Sequence, residues 1–477
     1  VNNMPPRHPP ATETLERLKQ AAGPGGFTED QALIAPHLRE WRDRFVGRTP
    51  LLLRPATTEA VARIVTICNQ TRTPIVPQGG NTGLVGGQIP SADGAEILIS
   101  LTRLKNVRGI DTSDGSLTAE AGCILDDIRN LADSHDRLFP LSLASGGSAT
   151  IGGLLSTNAG GTAVLAYGNM RDLALGIEAV LPNGQVWNGL RALRKDNTGY
   201  DLRNLLIGAE GTLGIITAAV LKLFPRPREM ATAILSVDSV QAALRLLNRL
   251  RDAGLFVTSF ELMSDTGLDF VLRHIPGTRR PVSLHSPWHV LVEVSLFDAA
   301  TAQAARQELA AAATLPGVRD GAIAQSQAQR QEFWRLRDAM SEAQKPEGAS
   351  IKHDVSVPVS AIPSFIAEAS AAVCNLVKGA RPVPFGHLGD GNIHFNISQP
   401  EGADPAGFLA RLPDVNTVVH DMVHRYGGSI SAEHGLGQAK VDEITRYKSA
   451  VEIEAMRSIR QALDPNAIMN PGKVIRI

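Results

Sequence analysis

The sequence predicts an α+β protein in which a glycine-rich, ligand-binding domain is followed by an antiparallel-sheet domain carrying helices and by a C-terminal helical segment. Two observations set this expectation. Glycine, 44 of 477 residues, is concentrated in three clusters at 79–87, 145–161 and 208–215, all within one stretch, 27–226. Beyond residue 226, apolar strands and amphipathic helices mix without the rhythm of a parallel sheet, which argues for helices packed on an antiparallel one. A chain of this length has room for about two to four domains. The expected parts are a flexible N-terminal tail at 1–26, a binding domain at 27–226, a second, substrate-holding (cap) domain at 227–405 and a helical segment at 406–477.

The elements follow in order. Pro5, Pro6, Pro9, Pro10 and Pro24 make the first 26 residues read as a tail. From Leu51 the pattern is strand, helix, strand: LLLR is extended, Thr57 can cap, and Val61, Ile64, Val65 and Cys68 fall at helical spacing before Ile75 and Val76 restart an apolar run. The third glycine cluster precedes the strand-like ITAAVLKLF. After PRPRE come the extended ATAILSV, a helix with Val240, Ala243, Leu244 and Leu247 on one stripe and Gly254 at its end, and the extended FVTSFELM and WHVLVEVSL. Helices near 299–313, 326–344 and 362–377 alternate with the extended IKHDVSVPV, and residues 382–398 read as a hairpin. A last helical stretch ends in DPNAIMNPGK.

Composition excludes several classes. Hydrophobic residues at 43% and charged residues at 20% describe an ordinary globular chain. Lys plus Arg (47) nearly balances Asp plus Glu (48), so there is no footprint for nucleic acid or anionic lipid. No run approaches 18 consecutive apolar residues and no secretory leader is legible, so membrane insertion is not expected. Cys68, Cys123 and Cys374 are too few and too scattered for a disulfide framework or a thiolate cage. A soluble, cytoplasmic protein is the expectation.

Five of the nine residues 79–87 are glycine and follow a strand. A backbone that bare can approach a ligand closely and aim its N–H groups at anionic oxygens. Neither a Walker A sequence nor G-x-G-x-x-G with a distant acidic residue is present. One such cluster is as readily a set of tight turns; three in one domain point to a dinucleotide long enough to need several loops.

The segment PFGHLGDGNIHFN reads as a hairpin with LGDG as its turn. If His387 faces Asn392 across that loop, alternation puts His394 and Asn396 on the face of His387. Two imidazoles then need one carboxylate to make a three-ligand site with an open position, and Glu433 in ISAEHGLG is the candidate. Either histidine alone is more often an ordinary hydrogen-bonded residue. His434 is a candidate general base or a further metal ligand. Arg337 and Ser341 lie four apart on one helical pattern with Lys352 on the next strand, so two cations and a hydroxyl could meet a carboxylate; by pattern alone these cations read as solvated charges.

PQGGNTGLVGG, ASGGSATIGGLLSTNAGG, YGNMRD and IGAEGTLGIIT resemble the two-subdomain FAD-binding domain of the vanillyl-alcohol oxidase and p-cresol methylhydroxylase superfamily, and GHLGDGNIHFN, SAEHGLG and LDPNAIMNPGK resemble its 2-hydroxy acid dehydrogenase branch. The resemblance implies an FAD cradle of Pro77, Gly79, Gly80, Asn81, Thr82 and Gly83 for the pyrophosphate, with Ser145, Gly146, Gly152, Gly153, Asn158, Gly161, Glu210, Gly214, Ile215 and Asn470 around the rest. Members with covalent flavin often carry a histidine in the first loop; Asn81 here implies non-covalent FAD. It further implies a divalent metal, usually zinc, on His387, His394 and Glu433, substrate contacts from Arg337, Ser341, Lys352, Asn396 and His434, and His434 as the base. Where the branch has threonine, this chain has Ser341. The implied reaction is oxidation of a small D-2-hydroxy acid, D-2-hydroxyglutarate to 2-oxoglutarate, by proton abstraction from the 2-hydroxyl and hydride transfer to flavin. D-lactate, glycolate and D-malate are the alternative substrates, and a flavin-binding subunit without catalysis is the non-enzymatic alternative. An electron-transfer flavoprotein or a quinone-linked carrier is the implied electron acceptor, the first being the expectation, and a homodimer is compatible with the resemblance.

Overall fold

The structure, a computed structural model, describes residues 8–476. The chain forms two compact units, one comprising the chain up to Gly160, Gly168–Pro225 and Glu433–Ile477, the other Gly161–Tyr167 and Arg226–Ala432.

Among the described residues the first unit holds a two-stranded pairing of Phe224–Pro225 with Arg137–Leu138 and two larger sheets. In the smaller, Leu52–Leu53, Ile97–Ser100 and Ile75–Gln78 run parallel and Phe27–Thr28 adds an antiparallel edge. In the larger, five antiparallel strands stand in the order 107–111, 116–120, 215–222, 174–180, 186–189. Helix Thr58–Thr71 forms as its pattern predicts: the Thr57 hydroxyl accepts the Ala60 N–H at 3.2 Å, Val61, Ile64, Val65 and Cys68 are fully buried, and Arg72 at φ 52° ends it. The tail expectation gives way here. Thr12–Ala22 is a helix whose Leu18 is fully buried in one cluster with Val61 and Ile64. No proline falls between Pro10 and Pro24, and TETLERLKQAA in that gap is amphipathic enough to dock before Gly23 breaks it. The C-terminal DPNAIMNPGK lies beside strand Ile75–Gln78, with Ile75 N–H donating to Ile468 O at 2.8 Å and Asn470 N–H to Ile75 O at 2.8 Å. The last 45 residues therefore join this unit, whereas helix Leu412–Arg425, expected in the same C-terminal segment, belongs to the other.

The second unit is built on a seven-stranded antiparallel sheet in the order 318–323, 229–237, 288–296, 257–264, 381–387, 392–398, 350–356. One face packs Ile234, Met263, Leu291, Val383 and Phe385 against Leu268 and Val271 of helix Asp265–His274, Phe333 and Leu336 of Gln327–Asp338, and Met340. The other face carries, among others, helix Ile362–Leu376, whose Phe365 ring lies 5.6 Å from Phe395. Residues 359–376 have a mean hydropathy of 1.4, enough by length and composition for a membrane span, a point that counting consecutive apolar residues misses. Ile362, Phe365, Ile366, Ala369 and Val373 of that segment are buried in this unit. The helix expected over 326–344 is interrupted: Gln327–Asp338 stops and a short turn, Met340–Ala343, follows.

Candidate functional site

In the first unit the glycine clusters are packed on one another. A Cβ at Gly80 would stand 1.8 Å from Ser148 O and one at Gly79 2.3 Å from Thr150 Oγ1, so these glycines let the first loop lie on the second; one at Gly152 would stand 2.6 Å from Ala121 Cβ, where the second cluster packs on the end of strand 116–120. Gly153 differs, since a Cβ there would meet nothing closer than 3.4 Å. Gly211, at φ +72°, lays the third cluster on Pro77, where a Cβ would reach Pro77 Cγ at 2.5 Å. Ile215 begins the strand that pairs with Ala174–Val180, and Gly214 is the residue before it. The turn at Ser145 and Gly146 is closed by Ser148 and Ala149 N–H groups donating to Ser145 O. Gly161 opens the short segment that clusters with the second unit.

The side chains in this cradle hold loops. Asn81, at φ 55°, donates to Pro36 O and Arg39 O at 3.1 and 3.0 Å and accepts from Gln88. Asn158 caps helix Ile151–Thr157 in the left-handed region and accepts from Arg171 N–H. Asn470 donates to Gly87 O and Glu210 O at 2.9 and 2.8 Å. Glu210, given to the cofactor from the sequence, spends its carboxylate on the Leu436 and Gly437 N–H groups at 2.7 and 2.9 Å, with burial pushing it up to about 6 against those bonds. Gly435, at φ +79°, leaves room for that carboxylate, because a Cβ would meet Glu210 Oε1 at 2.6 Å. Glu210 thus pins the loop that begins with Glu433 and His434.

What is left over fits an anionic dinucleotide. Among the described residues the main-chain N–H groups of Gly79, Gly80, Asn81, Thr82 and Gly83 have no partner within the chain. Thr150 Oγ1 and Asn470 Oδ1 are buried without a hydrogen-bond partner. Buried polar atoms are rarely left so unless a ligand or water completes them, and a row of free N–H groups suits a pyrophosphate.

The second unit gathers the other candidates on one sheet face by register. Phe385 pairs with His394 and Val383 with Asn396, Glu261 pairs with His387, and Lys352 and Asp354 pair with Asn396 and His394. Cross-strand partners share a face, so His387, His394, Asn396 and Lys352 stand on the same one, as alternation predicts. The two imidazoles cross at 75° with centroids 5.4 Å apart, and their ligand nitrogens lie within 4.8 Å. His387 Nδ1–H donates to Glu261 Oε1 at 2.7 Å, and Arg337 Nε–H donates to Glu261 Oε2 at 2.6 Å. Burial works to raise the Glu261 carboxyl, yet His387 and Arg337 hold it at about 2. Arg337 is buried with its guanidinium over the Phe385 ring at 5.1 Å, so it is not a solvated charge. Its Nη groups have no protein partner among the described residues. Ser341 is exposed, set apart by the break after Asp338; its carbonyl accepts from Lys352 Nζ at 3.3 Å. Asp354, buried, accepts from Asn392 Nδ2 at 2.9 Å and stands 3.8 Å from His394 Nδ1. Ala432 N–H donates to Asp354 O, and Glu433 is the next residue. His434 Nε2 lies 3.8 Å from Glu433 Oε1. Glu261 and Asp354 were not singled out from the sequence; the alternation of FVTSFELM and IKHDVSVPV places an acid in each strand, but pairing them with histidines takes the sheet order.

Residues 49–189 match the FAD-binding domain family, and residues 226–474 match the C-terminal domain of FAD-linked oxidases. The chain is 37% identical over 466 residues to mitochondrial D-2-hydroxyglutarate dehydrogenase of Arabidopsis thaliana, covering 97% of this chain and 82% of that protein. It is 36% identical over 475 residues to the mitochondrial enzyme of that name from Danio rerio, covering 99% and 87%. A Schizosaccharomyces pombe protein named as a mitochondrial D-lactate dehydrogenase is 35% identical over 451 residues, covering 91% and 84%. These names overturn the cytoplasmic expectation: the eukaryotic relatives are mitochondrial, and the scattered cysteines behind that expectation report only that the chain needs no disulfide. The solved structure of p-cresol methylhydroxylase with substrate bound superposes with a TM-score of 0.76 at 15% identity, covering 97% of this chain and 96% of that one, which shows the shared fold. By both domain matches, by relatives aligned over nearly its whole length and by its architecture, the chain belongs to the FAD-linked oxidases of the vanillyl-alcohol oxidase and p-cresol methylhydroxylase superfamily and is an FAD-dependent enzyme.

Proposed function

We propose that the enzyme oxidises D-2-hydroxyglutarate to 2-oxoglutarate, using non-covalent FAD and a divalent metal, Zn2+ in the first instance, held by His387, His394 and Glu433. The observation that carries the reading is the sheet face on which two imidazoles stand together while Arg337 is pinned through Nε with its Nη groups left over. Arg337 and Lys352 neutralise the substrate carboxylates, and Asn396 and the Ser341 segment border them. His434 takes the 2-hydroxyl proton as the C2 hydrogen leaves with its bonding pair and C2–O becomes the carbonyl. FAD supplies the two-electron acceptor for that hydrogen. The metal supplies positive charge for the hydroxyl oxygen, which makes its proton easier to remove. An imidazole suits the proton step because its ordinary pKa, about 6.5, lets it accept and later release a proton near neutrality. The acceptor that reoxidises the flavin is proposed to be an electron-transfer flavoprotein, and the assembly a homodimer.

The test is anaerobic titration of the flavin absorbance. D-2-hydroxyglutarate is expected to bleach it, and chelation to stop the bleaching while the oxidised spectrum persists; acid precipitation should release all the colour. Bleaching by D-lactate and not by D-2-hydroxyglutarate would establish the second reading, which the Schizosaccharomyces pombe relative favours.

A further inference from the structure

Glu261 has no part in the chemistry above, yet it joins the two arms on which that chemistry depends. It is 0% exposed and sits on strand Val257–Ser264 opposite Leu291, on the face that holds Met263, Val383 and Phe385. A charged carboxylate in such surroundings is costly unless both oxygens are paired. Here they are divided, Oε1 to His387 Nδ1 at 2.7 Å and Oε2 to Arg337 Nε at 2.6 Å. The division fixes two things. With Nδ1–H committed, the His387 imidazole carries its lone pair on Nε2, the nitrogen that would ligate the metal of the reading above, and the bond to Glu261 restrains the ring. With Nε–H committed and Phe385 under the guanidinium at 5.1 Å, the plane of Arg337 is set while its Nη groups stay available to an anion.

We propose that Glu261 is a positioning residue for both arms at once, orienting the metal-ligating imidazole of His387 and the carboxylate-binding guanidinium of Arg337 through one shared carboxylate. The inference rests on the metal and substrate reading above. It makes metal affinity and substrate affinity answer to a single side chain that touches neither.

The experiment uses the full-length, flavin-loaded enzyme. Zn2+ affinity is read by competition with a chelator and elemental analysis, flavin content by absorbance, and KM and kcat for D-2-hydroxyglutarate at saturating Zn2+. Glu261→Gln keeps the size, removes the charge and presents a donor to one of the two partners. It should weaken Zn2+ roughly ten- to hundredfold, raise KM more than it lowers kcat, and leave flavin content unchanged. Zn2+ affinity and KM that both stay at wild-type values, with only thermal stability reduced, would overturn the proposal; a change in one and not the other would overturn the shared role. Should Glu261→Gln fail to fold, Glu261→Asp, which withdraws the oxygens by one methylene, is read in the same assays with the same expected directions and the same overturning results. Failure of the underlying reading shows elsewhere, as a wild-type enzyme that binds no Zn2+ and a His387→Ala variant indistinguishable from it.

Discussion

The glycine cradle of the first unit and the sheet face of the second solve recognition by opposite means. In the cradle the groups left for a ligand are main-chain N–H groups and two buried oxygens, and the side chains of Asn81, Asn158 and Glu210 are spent holding loops together. On the sheet face the ligand-directed groups are side chains, and two of them, His387 and Arg337, are aimed by a third, Glu261. A main-chain site tolerates few changes because the backbone path itself is the site. A side-chain site can be dismantled one function at a time. Substitutions should therefore fail differently in the two regions.

The largest effect is expected at Gly80. A Cβ there would stand 1.8 Å from the Ser148 main-chain oxygen, far inside any contact a real Cβ makes, and the atom it meets is backbone, not the movable end of a side chain. Gly80→Ala should give protein without bound flavin, or none that is soluble. Gly153→Ala, where a Cβ meets only Thr150 Oγ1 at 3.4 Å, is its control for the chain alone: the fold should survive, and flavin affinity reports whether the ligand itself needs that space. Flavin-to-protein absorbance ratios after gel filtration decide both, and a normal ratio for Gly80→Ala would remove the claim that the backbone path is the site.

Next comes His434. General bases contribute roughly 10² to 10⁴ in rate, so His434→Ala should lower kcat on that scale while flavin stays bound. Loss of Zn2+ in the same variant, by elemental analysis, would make His434 a ligand instead.

How much of each region could be read in advance follows from the same contrast. The glycine clusters are visible as local composition, and helix Thr58–Thr71 as local periodicity with its cap. Alternation put His387, His394 and Asn396 on one face because the turn between the strands is short. Glu261 was not legible: its partner His387 is 126 positions away, and their meeting depends on strand 257–264 lying beside 381–387. Arg337 looked like a surface charge for the same reason. Helix Thr12–Ala22 was obscured by the prolines before it, and Ser341 was placed on the stripe of Arg337 because nothing in the sequence marks the break after Asp338.

A smaller effect should separate the two substrate cations. Lys352 reaches the Ser341 carbonyl at 3.3 Å from the end of a flexible four-carbon stem, while Arg337 is fixed in plane by Glu261. Replacing a preorganised group loses more, so Arg337→Met should raise KM for D-2-hydroxyglutarate more than Lys352→Met does, with D-lactate affected less in both. Equal losses on the two substrates would mean that neither residue reads the second carboxylate.

The smallest effect concerns how the hairpin is anchored, and it is a matter of pH. Arg381, the first residue of strand Arg381–His387, donates to Glu347 Oε2 at 2.5 Å, and Arg273 and His274 reach the other oxygen at 2.6 Å. Burial pushes the Glu347 carboxyl up, but His274, Arg381 and Arg273 outweigh it and hold it at about 2, below its ordinary 4.5. A carboxyl depressed in the folded chain stabilises it above the ordinary value, and that contribution is lost as pH falls from about 4.5 toward 2. Glu347→Gln lacks the contribution at every pH. Its melting temperature should therefore fall a few degrees short of wild type at pH 7, and the gap should narrow as the pH is lowered from 5 to 3. A gap that stays constant over that range would show that the network acts through shape rather than charge, and the pH sensitivity of the second unit would have to come from another carboxylate.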